Sequence, residues 1–493
     1  MRVQRVPRAL PDIAIFFRCA MDDSISTTAK RSSDTAFIGH PVGLGWLAFT
    51  ELWERFSYYG MTTLLVLYMT HSLLQPGHIE HILGFGPFQS LIALIYGPAA
   101  GQALASHVFG FYTAFVYLTP LGGGYLADRF IGRTNAVTIG ASLMAMGHFL
   151  MAFDTTFLIA LTCLLLGVGC FKGNIASQVG ALYKDGDPRR ADAFQIFLFF
   201  VQIAVIASPF VCGRLADGFG WHYGFGAAGV GMLIGLTTYL LGRRTLPAEA
   251  PRARAADVAP PRRPFTRNDW IKTILLVALL PVLAVSIVGN NQIFNAYLVW
   301  GEANYQLTIF GMHTPITDLL GYGSIISAAT IAASVAFWRW WATRLPEPDE
   351  ITKIAIGVAI SAGAPLLLVV ASTIIAAHGG RVSLWWAIGF EIVNDLGFAN
   401  VIPVGLALYS RAAPKGTTGV FIGIYYLHLF MGNFFVGWVG GLLGTMSATS
   451  FWLLHVALIL GAAVVLVAVK LLFGKILSPS YGMPLAELAK LEA

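Results

Sequence analysis

Residues 44–72 read LGWLAFTELWERFSYYGMTTLLVLYMTHS. The run is long enough to cross a bilayer, which takes ~20 residues of apolar helix. Three charges interrupt it: Glu51, Glu54 and Arg55. At a helical turn of 100° per residue, Glu51 and Glu54 share a face, and Glu51 and Arg55 stand i,i+4. A charge in the middle of a spanning helix costs ~2.5–3.5 kcal/mol on insertion scales, so such charges face a polar interior. An arginine between two carboxylates makes all three tolerable in low dielectric, and it couples their protonation. The alternative is a static ion cluster that only orients the helix.

The rest of the chain repeats the apolar theme. Of 493 residues, 56% are hydrophobic and 11% charged, against roughly 25% charged in soluble proteins. Mean hydropathy is +0.70. So few charges cannot cover a soluble surface, and the chain reads as a polytopic membrane protein. Disordered, collagenous and disulfide-rich secreted classes are excluded. The formal charge of +6 does not point to nucleic acid, because the basic residues lie between apolar runs.

Those runs fall near 44–72, 88–120, 135–153, 156–182, 193–214, 223–243, 270–300, 315–342, 352–377, 382–410, 416–444 and 449–474. That predicts an all-α membrane protein with about twelve transmembrane helices. Backbone polar groups must be paired in lipid, so each run is helical; the alternating ~10-residue strands of a barrel are absent. Residues 244–268, rich in Pro and Arg, break the series into two halves of six. The expected organisation is an N-terminal tail (1–43), an N-terminal bundle (44–243), a basic linker (244–269), a C-terminal bundle (270–475) and a C-terminal tail (476–493).

With both termini in the cytoplasm, all but four of the 31 Lys and Arg fall on the cytoplasmic side. The four are Arg55 and Lys172 within runs, and Arg214 and Arg381 on the far side. This satisfies the positive-inside rule. Trp338, Trp340 and Trp341 around Arg339 read as an interfacial anchor. The patch Ile13–Phe17 is too short for a secretory leader, and Met1 and Met21 serve equally as starts. Cys19, Cys163, Cys170 and Cys212 form no CxxC pair and read as small buried hydrophobes. His107, His148, His428 and His455 are scattered and read as satisfied core residues. No metal cluster, Walker motif or nucleophile–base pair is found, so metal, ATP and enzyme readings are set aside.

Two further segments carry charge. In Gly167-Val-Gly169-Cys-Phe-Lys172-Gly173-Asn174, the glycines permit close helix approach, and Lys172 is expected to reach the carboxylates of the first run. In GGYLADRFIGR, Asp128, Arg129 and Arg133 form a turn able to tie two helices and release them.

The first run now resembles the ExxERFxYYG signature of the proton-dependent oligopeptide transporter family. GGYLADRFIGR resembles the loop motif of the major facilitator superfamily, GVGCFKGNIAS the family's lysine segment and PVGLALYSRAAPKGTTGVFIG a later segment. The resemblance spans most of 44–475. It implies two six-helix bundles, alternating access, and uptake of di- and tripeptides with protons, without a cofactor. By this likeness Glu51, Glu54, Arg55 and Lys172 are proton-coupling residues. Arg55, Tyr59, Tyr117, Lys172, Asn174, Gln202, Asn295 and Asp395 are substrate-binding positions. Glu302, Glu391, Asp128, Arg129 and Arg133 are gating positions.

Departures from the pattern are as informative. Thr62 stands where an arginine is common, Leu298 and Val299 where acids are common, and Phe398 where a glutamate commonly receives the peptide amino group. Glu302 lies one turn from Leu298, and Asp395 three residues before Phe398, with Glu391 a turn away. Asp395 helped by Glu391 is expected to take the amino-group role, and Glu302 a gating role at the outer end. The implied partners are small peptides and the lipid bilayer, with no nucleic acid; the chain is expected to be a monomer of the plasma (inner) membrane. A transporter of a non-peptide metabolite or organic anion is the alternative.

Overall fold

The computed structural model describes residues 35–184, 186–247, 265–309, 311–414 and 416–477. Most of both tails and the linker segment 248–264 therefore lie outside the described residues, as does Cys19. Twelve long helical rods follow one another. In the first half they are α1 (Val42–Tyr68), α2 (Gly101–Leu126), α3 (Arg133–Leu150), α4 (Phe157–Ala181), α5 (Arg189–Phe219) and α6 (Trp221–Gly242). In the second half they are α7 (Arg267–Ser286, continued in short pieces to Asn304), α8 (Asp318–Ala342), α9 (Glu350–Ser361 and Gly363–His378), α10 (Trp385–Phe398 and Ile402–Ala412), α11 (Thr418–Gly440) and α12 (Ala448–Leu477).

Ten of the described helices are long and apolar enough to cross a membrane. The protein is a multi-pass membrane protein. The two remaining rods are α1, which holds Glu51, Glu54 and Arg55, and the 18-residue α3.

Four runs differ from the sequence expectation, one of them, 352–377, by an interruption at Ala362 alone. The run at 88–120 is two helices: a short one, Phe85–Tyr96, and α2. The pair Gly97-Pro98 separates them. Gly97 takes a positive φ of 94°, and Pro98 has no amide proton to continue the helix. The run at 270–300 breaks after Ser286 into Val288–Asn291, the 3-10 turn Gln292–Phe294 and Ala296–Asn304. The run at 382–410 is interrupted between Phe398 and Ile402, just before Pro403. A two-residue hairpin, Thr308–Ile309 with Met312–His313, caps the α7–α8 connection.

Within the first half, α1 packs on α5 and α6, and α3 on α4. Across the halves, α2 meets α11 and α5 meets α8. Backbone contact makes the α2–α11 seam. A Cβ on Gly110 would stand 2.3 Å from the Gly437 Cα, so only glycine lets these helices close. One apolar core runs from the first half into residues of the second half near this seam, among them Tyr297, Trp300, Phe390 and Trp452. A separate core fills the rest of the second half, around Leu276, Ile354, Tyr409 and Tyr425.

Candidate functional site

The charged triad on α1 is buried. The Arg55 Nη2 donates to Glu54 Oε1 at 2.8 Å, and its Nε pairs with Glu54 Oε2 and stands 3.2 Å from Glu51 Oε1. Glu54 is fully buried, and Glu51 and Arg55 are 6% and 5% exposed. Both carboxylates thus share one guanidinium, and Glu51 Oε2 is left without a hydrogen-bond partner. A proton arriving on either carboxylate changes how strongly the arginine holds the other. The triad is screened by tyrosines, with the guanidinium carbon 5.4 Å from the Tyr58 ring centre.

Beside the triad a cavity of about 310 Å³ lies between the halves. From α1, α2 and α5 it is lined by Tyr58, Tyr59, Thr62, Tyr117 and Gln202. From α7, α8 and α10 come Asn290, Asn291, Ser324, Glu391, Asp395 and Phe398. The polar pieces of α7 reach it because that helix is broken there, which frees Asn290 and Asn291 to face inward. Glu391 and Asp395 stand i,i+4 on α10 and are 2% and 5% exposed. A side chain on Gly323 of α8 would collide with Glu391, since its Cβ would stand 2.9 Å from Oε2.

Three ion pairs cross between the halves at the end away from the basic loops. Arg214 of α5 stands 2.9 Å from Asp318 of α8. His71, just beyond α1, stands 2.5 Å from Glu302. His313 stands 3.4 Å from Asp217. The Glu302 carboxylate, by its hydrogen bond to His71, holds that imidazole above its ordinary value, against the opposing effect of partial burial. The cavity is therefore closed at this end by helix packing and by charge.

Known proteins share this architecture. The crystal structure of a peptide transporter POT in complex with sulfate superposes with a TM-score of 0.78 at 22% identity, covering 92% of this chain and 99% of that one. A POT family transporter in complex with 5-aminolevulinic acid gives 0.73 at 20% identity, covering 91% and 99%. In sequence, the peptide transporter YePEPT of Yersinia enterocolitica subsp. palearctica serotype O:3 (strain YE-P4) is 26% identical over 90% of this chain and 97% of its own length. A di-/tripeptide transporter of Lactococcus lactis subsp. lactis (strain IL1403) is 26% identical over 80% of this chain and 88% of its own. The model of the POT family matches residues 134–257. The chain is therefore similar to POT-family transporters over most of its length, and the family model itself covers about a quarter of it.

The residues read from sequence divide into those the fold brings to the cavity and those it does not. Tyr59, Tyr117, Gln202, Asp395 and Glu391 line the cavity. The Gln202 amide is already engaged, donating to the Ser324 carbonyl at 3.0 Å and so bridging α5 to α8. Lys172 makes no ion pair with the α1 carboxylates; its Nζ sits 4.8 Å from the centre of the Tyr117 ring. That ring stands on α2 and offers a cation–π partner instead. Asn174 is turned away from the cavity, its amide donating to the Cys170 carbonyl at 2.8 Å. Asn295 is fully buried in the seam, accepting from Ser106 at 2.9 Å. Both asparagines look polar in sequence, but helix phase turns them into packing groups.

Glu391, expected at a gate, belongs to the cavity wall. Asp128 and Arg133 stand 3.2 Å apart across the α2–α3 turn, and Arg129 lies 6.0 Å from the Tyr125 ring centre. All three are held within the first half. Trp338 is more than an anchor, since its indole donates to Asn400 Oδ1 at 2.6 Å and ties α8 to α10. Of the histidines, His148 is fully buried with neither ring nitrogen bonded, so it is a packed ring rather than a satisfied one. Cys163, Cys170 and Cys212 are buried and free.

Sequence reading missed His71, Asp318 and the role of Arg214. Arg214 stood out only as one of two basic residues on the far side. An unpaired far-side cation was itself the signal that an acid on the other half should meet it.

Proposed function

We propose that this chain is a proton-coupled importer of di- and tripeptides that works by alternating access of its two halves, 44–243 and 270–475. It is a transporter and not an enzyme. The observation that carries this reading is the polarity of the cavity. The first half backs it with Arg55 and Lys172 behind tyrosines, and the second half faces it with Glu391 and Asp395. A short peptide is a rod with a carboxylate at one end and an ammonium at the other, so opposed charges at the two walls fix its length while reading side chains loosely.

Protonation of Glu51 or Glu54 loosens Arg55, which then joins Lys172 in holding the cargo carboxylate. Tyr59, Tyr117 and Gln202 shape the cavity, and Asp395 with Glu391 holds the ammonium. Asp128, Arg129 and Arg133 take part in closure on the basic-loop side, and Glu302 on the other. Both termini lie in the cytoplasm, with the chain monomeric in the plasma (inner) membrane and the proton as coupling ion. Each charge moved across 100 mV supplies ~2.3 kcal/mol, about fifty-fold accumulation.

The relatives named as peptide transporters support the cargo class. The acids at the cavity weigh against a simple organic anion as substrate. The test is uptake of labelled dialanine into proteoliposomes driven by an imposed acid-outside gradient, with Glu54→Gln beside the wild type. Gradient-independent uptake, or none with any peptide while organic anions compete, overturns the reading.

A further inference from the structure

Glu391 and Asp395 are set apart from the other acids facing the seam. Glu51, Glu54, Glu302 and Asp318 each have a cation or histidine beside them. No Lys, Arg or His is among the residues lining the cavity. Glu391 Oε1 and Asp395 Oδ2 have no hydrogen-bond partner, although each side chain is more than nine-tenths buried. What faces the pair is neutral. The Asn394 Nδ2 donates to Asp395 Oδ1 at 3.3 Å. Gly323 and Ser324 come from α8, Asn290 and Asn291 from α7. The Tyr297 ring stacks on Phe390 of α10, and the Tyr297 and Tyr305 hydroxyls make no hydrogen bond to the pair.

Two carboxylates one helical turn apart in a buried wall repel each other, and neither has a counter-charge among the residues lining the cavity. A buried charge without a partner neutralises itself by taking up a proton.

We propose that Glu391 and Asp395 form a cation-for-proton exchange site. Empty, the pair carries its protons. When a primary ammonium enters the cavity one proton leaves to solvent, the ammonium takes its place against the Asp395 carboxylate, and the second proton stays between the two acids. Charge balances, one cation for another. The inference rests on the peptide reading for its natural cargo and goes beyond it. The second half then gives up a proton as cargo binds, opposite in sign to proton uptake at the α1 triad. Cargo with a free amine and cargo with a blocked amine differ by one proton in the coupling.

The experiment measures proton release on ligand binding by the full chain in nanodiscs, in weakly buffered solution near pH 6 with a pH-sensitive dye. The probes are dialanine and N-acetyl-dialanine, which share the carboxylate and differ in the amine. Dialanine is expected to release about one proton per site more than the acetylated peptide. The double variant E391Q/D395N, which keeps side-chain shape, is expected to lose that difference and to bind dialanine at least ~10-fold more weakly. Equal release by the two peptides in the wild type overturns the inference, and so does a difference that survives in the double variant. If dialanine does not bind at all, the peptide reading falls by itself. Butylamine then reads the exchange alone: proton release supports it, and binding without release overturns it.

Discussion

The guanidinium of Arg214 on α5 stands 2.9 Å from the carboxylate of Asp318 on α8, and the two partners are unequally buried. The Arg214 side chain is 61% exposed, while that of Asp318 is fully buried. Asp318 Oδ1 has no hydrogen-bond partner, and Arg214 makes both of its contacts to Oδ2. Removing the cation leaves the buried acid without its partner, a loss that solvent around the exposed guanidinium moderates. Arg214→Ala is therefore expected to open this end of the seam, and Arg214→Ala with Asp318→Asn to restore much of the closure. Labelling of Thr317→Cys by a membrane-impermeant thiol reagent checks this. Equal labelling in the single and double variants would remove the pair from the closing mechanism.

His71 and Glu302 supply a titratable crossing nearby. The Glu302 hydrogen bond raises the His71 value in the closed form. A raised value means that the closing contribution is complete below the ordinary value near 6.5. It fades as pH rises through the higher value. The side chains are 43% and 37% exposed, so solvent screens the pair and keeps the effect small. Accessibility at this end is expected to increase modestly as pH rises through the raised His71 value, and His71→Asn to flatten the profile. An unchanged profile in that variant would assign the pH response elsewhere.

Glu54→Gln removes the fully buried acid that takes two contacts from Arg55. Coupling free energies of 1–3 kcal/mol correspond to roughly 5–150-fold. Acid-driven accumulation is expected to fall within that range, while exchange of peptide across vesicles at equal pH continues. Loss of both together would show a folding defect rather than lost coupling.

Gly110→Ala forces a methyl group against the Gly437 backbone, where the gap is 2.3 Å. Overpacking of this kind costs about 1–3 kcal/mol or more. Because α2 and α11 belong to different halves, the cost falls on the closed seam. Thiol labelling at this end is expected to rise, with peptide uptake reduced. Gly122→Ala on the same helix meets nothing within 4 Å and serves as the control. Equal behaviour of the two variants would mean that the seam does not set the conformational balance.

Much of this protein is legible as sequence because lipid leaves the chain few choices. Apolar runs of spanning length must be helical, so the charged first helix and the candidate spans other than Gly101–Ile131 stand near where periodicity and length put them. The α1 triad was also legible, since three charges within five residues of one helix are neighbours whatever else the chain does. Helix interruptions were not, because Gly97-Pro98 and Asn290-Asn291 sit inside runs whose average hydropathy hides them. Nor were the partners of Lys172 and Asn174, which depend on rotation of α4 against α2 to within a fraction of a turn.

The amino-acid sequence by itself determined twelve apolar rods, a break between two sets of six, and a buried triad on the first rod. Those follow from local spacing and from the cost of unpaired polar groups in hydrocarbon. Only the tertiary structure decided that Arg214 meets Asp318, that His71 meets Glu302, and that Glu391 and Asp395 face a cavity with no cation on its walls. Such pairings join residues over a hundred positions apart, and they are set by which faces of packed helices meet, a relation that spacing along one chain does not contain.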